Sequence, residues 1–154
     1  LISATLQDAR LDGVCLDGAE VTDVCLKTAT LRGAQLRGTT LTRCQLESAD
    51  LLGANLDGAV LVDCDLQNAT LQDATLKNAS LTGVKMVGAT LQRADLSSAQ
   101  LENVDFTDAN LEYAVLAEAR MHNVNMTGAK LRAIRGTRLY GRGLTLAKAS
   151  AMHA

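Results

Sequence analysis

The hydrophobic pattern has a period of five. From position 1 to position 131 every fifth residue is large and apolar: 27 sites, 22 of them Leu, with Val21, Met86, Phe106, Met121 and Met126 as the exceptions. Two places before each later site stands a small residue, Ala at 18 of 26 and Val, Cys or Thr at the rest. Five residues of α-helix rotate each Leu about 140° from the last, so the leucines form no stripe. A straight strand alternates faces with period two, so successive leucines diverge. One path buries them all: the chain turns a corner after each unit and aims every Leu at a common axis. Corners near 90° close a coil after four units, and residues twenty apart then stack.

Columns of residues twenty apart support that closure. The small inward site reads Val24, Cys44, Cys64, Val84, Val104, Val124, and only Ala4 in the first coil departs. The large site beside it runs Leu26, Leu46, Leu66, Met86, Phe106, Met126. Outward columns alternate in charge: Asp17, Arg37, Asp57, Lys77, then Asp23, Arg43, Asp63, then Asp65, Lys85, Asp105. Stacked strands lie about 4.8 Å apart, where like charges repel and opposite charges are favoured. The site two after each Leu holds Gly53, Gly58, Asn68 and Asn78 among others. Such residues tolerate positive φ and mark the corners.

The units Ala49-Asp50-Leu51, Ala54-Asn55-Leu56, Ala94-Asp95-Leu96 and Ala109-Asn110-Leu111 carry an A-[DN]-L-x-x pattern, and looser copies fill residues 1–133. This resembles the pentapeptide-repeat family. The resemblance implies an all-β fold, a right-handed parallel quadrilateral β-helix, here of about 6–7 coils by its repeat count. It says little about function, because a fold does not fix one.

Composition agrees with a narrow repeat core. Aromatic residues are 2 % and Pro is absent. The net charge of −2 is neither polycationic nor polyanionic, which argues against direct nucleic-acid binding. No apolar run approaches the ~20 residues that span a bilayer, so no membrane insertion is expected. Leu1 is already in register, and the chain reads as an excerpt of a longer bacterial protein. There is no C-x-x-C, so no zinc site is expected. Cys44 and Cys64 are read as free thiols filling a slot that elsewhere takes Val. Free thiols favour a reducing compartment, hence a cytoplasmic location; a secreted effector is the alternative.

The rhythm fades after Leu131. The next inward pair, Ile134 and Gly136, inverts the sizes. Residues 134–154 are therefore expected to leave the repeat domain of 1–133, with a short helix over Leu144–His153. Arg132, Arg135, Arg138 and Arg142 crowd this segment. Two uses stay open, a cap over the unpaired coil edge and a basic tail that docks a partner.

No catalytic site and no cofactor site are legible. His122 and His153 lie near no nucleophile in the coil, and no Gly-rich loop leads into a helix. A square rod offers no cleft for a paired acid and base. What remains is surface. Thr40, Thr42, Val60, Val62, Ser80 and Thr82 stack on one face without charge. They are either β-branched residues that simply suit strands or a flat docking site for a protein.

The favoured function is a non-catalytic scaffold that presents a rigid surface to a protein partner. The alternative is a DNA-mimicking binder of gyrase or another type II topoisomerase, a role that some family members have. Charge weighs against it: duplex DNA carries about 18 negative charges over a ~30 Å rod, whereas residues 1–133 sum to −6. End-to-end stacking into a homodimer is a further expectation.

Overall fold

The corner chemistry explains the repeat. In a computed structural model that describes residues 1–138 and 140–150, the Leu opens a tight turn on three of the four sides of each coil. The Ala54 N–H donates to the Leu51 carbonyl at 3.0 Å, and the Ala59 N–H donates to Leu56 at 3.0 Å. The third residue of the turn lies in the left-handed region, with φ 63° at Gly53 and 57° at Asn68. Glycine and Asn adopt that region at least cost. The residue before the Leu caps the turn from outside. Asp50 Oδ1 accepts from the Leu52 N–H at 3.1 Å, and Asn55 Oδ1 accepts from the Asp57 N–H at 3.0 Å. A short carboxylate or amide suits this local bond. Hence Ala points in, Asp or Asn holds the corner, and Leu points in again.

Backbone groups not used in the corners bond the coils above and below. The Leu51 N–H donates to Thr70 O at 2.7 Å, while the Asp50 N–H donates to Ala29 O at 2.9 Å. On three sides this leaves single parallel bridges, such as Cys25↔Gln45, Thr30↔Asp50 and Gln35↔Asn55. The fourth side forms true strands: β1 (Glu20–Thr22), β2 (Thr40–Thr42), β3 (Val60–Val62), β4 (Ser80–Thr82), β5 (Gln100–Glu102), β6 (Arg120–His122) and β7 (Tyr140–Arg142). They make one parallel sheet in sequence order, each residue paired with the one twenty later.

The predicted file of small residues is present. The N–H groups of Gln45, Asp65, Lys85, Asp105 and Asn125 donate to the carbonyls of Val24, Cys44, Cys64, Val84 and Val104, each at 3.0 Å. This file lies at the corner that ends each strand. Among the described residues, that corner lacks the tight turn bond found at the other three. An open corner leaves more room inside, which accounts for Val and Cys where the other columns take Ala.

The core is the rod's axis. Leu56, Leu61, Leu66, Leu71 and Leu76 are buried, as are Met86, Phe106 and Met126 in their shared column. Burial of each such side chain contributes about 1.5–3 kcal/mol. The four cysteines are free thiols; Cys44 and Cys64 are buried, Cys15 is exposed, and Cys25 is half-buried.

The structure departs from the sequence reading after Leu131. The expected change of structure at residue 134, with a helix from Leu144, does not occur among the described residues; His153 lies outside them. The coil continues instead. Val115 bridges Arg135, Asn125 bridges Thr145 and Lys130 bridges Ser150, and β6 pairs with β7. Ile134 takes the small site and Gly136 the large one. The physical reason is the coil beneath. Its free N–H and C=O groups must be satisfied, and they template another turn whether or not the inward side chains fill it.

Candidate functional site

The sheet side is the one whose residues form three-residue strands among the described residues, and two outward columns run along it. One passes through Glu20, Thr40, Val60, Ser80, Gln100, Arg120 and Tyr140; the other passes through Thr22, Thr42, Val62, Thr82, Glu102, His122 and Arg142. Strand alternation explains both, since the residue between each pair points into the core.

The structure brings the six uncharged candidates together. Thr40, Val60 and Ser80 pair in one file, and Thr42, Val62 and Thr82 in the other. Val60 is 37 % exposed and the other five are half-buried, so the patch is flat.

Toward the C-terminal end the same columns lengthen into walls. Gln100, Arg120 and Tyr140 face Glu102, His122 and Arg142 across a cleft of about 820 Å³ floored by Leu101, Met121 and Gly141. A smaller cleft of about 380 Å³ continues around the edge between Glu118, Arg138 and Tyr140. Arg138 pairs with Glu118 at 3.5 Å, whereas Arg120 and Arg142 have no ion pair among the described residues. Sequence reasoning missed these walls. The signal was available in the same twenty-residue columns, where Thr, Val and Ser give way to Gln, Glu, Arg, His and Tyr.

The four arginines of the proposed basic tail do not form one patch. They are spread around the last coil. Arg132 lies over the Tyr113 ring, 5.9 Å from its centre. Arg135 bridges Val115 on the next side. Arg138 sits at the following corner, and Arg142 stands on the sheet face.

The charge ladders are partly as expected. Arg37 meets Asp17 at 2.8 Å and Arg43 meets Asp23 at 2.7 Å. The Asp65–Lys85–Asp105 column forms no ion pair among the described residues; Asp65 and Asp105 cap their own turns instead. Lys77 reaches Asp95 at 3.3 Å rather than Asp57. Arg93–Asp73 and Arg32–Asp50 pair at 2.6 Å, and Lys27–Glu47 at 2.9 Å. Hydrogen bonds from Arg37, Arg43 and Arg93 hold the Asp17, Asp23 and Asp73 carboxyls below their ordinary range. These carboxylates are already partnered within the rod.

The two buried thiols are pushed apart in pKa: the hydrogen bond shared with Cys64 lowers the Cys44 thiol to about 7, while Cys64 is a poor nucleophile. The neighbouring Cys44 sulfur and burial push the Cys64 thiol well above its ordinary value, and both sulfurs point at backbone carbonyls, Val21 O and Leu41 O, at 3.4 Å. Among the described residues no cluster of His, Cys, Asp or Glu converges on a metal-ion site. No helix among them is long and apolar enough to cross a membrane.

Two family models match the chain: a pentapeptide repeat region over residues 39–116, and pentapeptide repeats in eight copies over residues 99–134. No curated protein matches it in sequence. Among solved structures it is similar to a pentapeptide repeat protein of the Arabidopsis thaliana thylakoid lumen, 29 % identical over 64 % of this chain and 69 % of that one, with a TM-score of 0.62. It is similar also to QnrB1, a plasmid-mediated fluoroquinolone resistance protein, 17 % identical over 99 % of this chain and 82 % of that one, with a TM-score of 0.62. The unbroken five-residue register, the stacked coils and these matches together place the chain in the pentapeptide-repeat family.

Proposed function

We propose that this chain is a non-catalytic interaction module whose sheet side binds a protein. One observation carries the reading: six uncharged residues from β2, β3 and β4 lie in register on one face, in two adjacent files three coils deep. A flat strand surface with little charge costs little to desolvate. A rod held together coil by coil presents it without ordering on contact. The free thiols suit a reducing compartment such as the cytoplasm. End-to-end pairing of two rods would leave this side open, so the two modes are independent.

The test is affinity capture from cells of the source organism. The wild-type chain is expected to retain a discrete protein that Val60→Arg/Thr82→Arg loses. Gln92→Arg, on the opposite side of the coil, should retain it. Equal capture by all three chains would place the contact elsewhere.

The topoisomerase reading has weaker support. Asp17, Asp23 and Asp73 are each bound by an Arg of the next coil, and bases are interspersed with the acids along the rod. Likeness to QnrB1 at 17 % identity concerns the fold. A gyrase supercoiling assay is expected to show no inhibition by this chain.

A further inference from the structure

The side face is too small for a folded partner. Seven strands give six spacings of about 4.8 Å, roughly 29 Å, and three extended residues give a width of roughly 10 Å. The flat area is on the order of 300 Å². A stable protein–protein contact takes about 800 Å² per partner. A linear segment fits instead. Laid along the rod axis at about 3.3 Å per residue, some nine extended residues span the seven strands.

We propose that the occupant is an extended segment of a partner protein with two halves, one of small uncharged residues and one acidic. The proposal rests on the reading of the sheet side as a protein-binding surface and names what it takes. The uncharged half lies over the flat patch of β2 to β4. The acidic half enters the cleft between the walls of β5 to β7, where Arg120 and Arg142 stand on opposite sides with no ion pair among the described residues. Each guanidinium offers a fork of donors that suits a carboxylate. The Tyr140 ring, 61 % exposed at the cleft's end, supplies apolar contact beside a polar tip.

Charge sets the register of the segment. Glu102 is the one acid lining the larger cleft, so a carboxylate is disfavoured beside Glu102 and favoured beside Arg120 and Arg142. A nucleic acid strand, with evenly spaced phosphates, cannot avoid Glu102 and gains nothing over the neutral patch. A second copy of this rod has no free end of this composition among its described residues.

The probe is a fluorescein-labelled nonapeptide of five Thr/Val residues followed by four Glu, read by anisotropy on the full chain. Saturable binding is expected. Arg120→Glu and Arg142→Glu should each weaken it about fivefold or more, and 0.5 M salt should weaken it further. Glu102→Gln should tighten it. Val60→Arg should weaken a peptide of Val/Thr and Gln as much as the acidic one. Melting curves check that each variant folds.

Binding that is indifferent to Arg120 and Arg142, or equal for a peptide with Gln in place of Glu, overturns the proposal. So does stronger binding of a 20-nucleotide single strand. If the peptide fails while Val60→Arg/Thr82→Arg still abolishes capture of the cellular partner, the acidic-segment inference falls and the sheet-side reading stands. If neither variant set alters capture, both fall.

Discussion

The coil of residues 61–80 and the coil of residues 131–150 share a backbone and differ in what they enclose. Both close their corners with left-handed residues, Asn68 and Asn78 at φ 57° and 58° in the first, Ala133 and Lys148 at 54° and 58° in the second. Both bond to the coil beneath: the Thr70 N–H to Ala49 O at 2.9 Å, the Arg135 N–H to Ala114 O at 2.9 Å. The interior coil buries Leu61, Leu66, Leu71 and Leu76, none more than 1 % exposed. The last coil has Gly136 and Gly141 at two of its large sites and Leu146 at another, 48 % exposed. Hydrogen-bond templating and core filling are therefore separable. A coil can copy the path of its neighbour without contributing the leucine ladder.

The sharpest way to break that comparison is to empty one large site in each region. Phe106→Ala removes the largest buried side chain, and an unfolding ΔG lower by about 3–5 kcal/mol is expected in urea titration. Leu146→Ala should cost less than about 1 kcal/mol, because its side chain is already half in water. Equal losses would show that the last coil is as filled as the interior.

Filling the last coil sharpens the contrast from the other side. A Cβ at Gly141 meets nothing within 4 Å, and its φ lies outside the left-handed region. Gly141→Leu is expected to stabilise by about 1 kcal/mol, less than full burial, since no further coil among the described residues covers it. A lower melting temperature would mean that the site is open for another reason.

Corners supply a smaller effect. Ala133 is held at φ 54° without a favourable side chain, so Ala133→Gly should gain about 0.5–1 kcal/mol by relieving left-handed strain. Gly53→Ala, at φ 63° with open space around it, should lose about as much.

The smallest effect is in the charge ladders. Asp17, Asp23 and Asp73 have pKa values lowered by their Arg partners. Their contribution is complete above the unfolded carboxylate pKa of about 4 and is lost as pH falls through the lowered native values. The melting temperature should therefore drop below pH 4, and less steeply in Asp17→Asn/Asp23→Asn/Asp73→Asn. A profile unchanged by the triple variant would assign acid lability to other groups.

Much of this was legible before the structure. The stacking of Val24 on Cys44 and of Thr40 on Val60 follows from period five and a return every twenty residues. So do the pairs Asp17–Arg37 and Asp23–Arg43. The continuation past Leu131 was not legible. Gly136 and Gly141 break the size pattern, and size was the signal in use, while the backbone bonds that carry the coil onward leave no mark on side-chain identity. The cleft was half legible: its residues stand in readable columns, but whether they rise as walls depends on how long side chains lean.

By itself, then, the sequence determined the path of the chain. Large inward sites every five residues can be buried together only by a chain that keeps turning, and each Asp or Asn before a Leu locks its turn locally. Tertiary structure alone decided that the path runs on past Leu131 and which charges stay free. Lys77 finds Asp95 at 3.3 Å rather than Asp57, and Arg120 and Arg142 find no ion-pair partner among the described residues. Those outcomes depend on the rotamers of long side chains across adjacent coils, which no periodicity along the chain encodes.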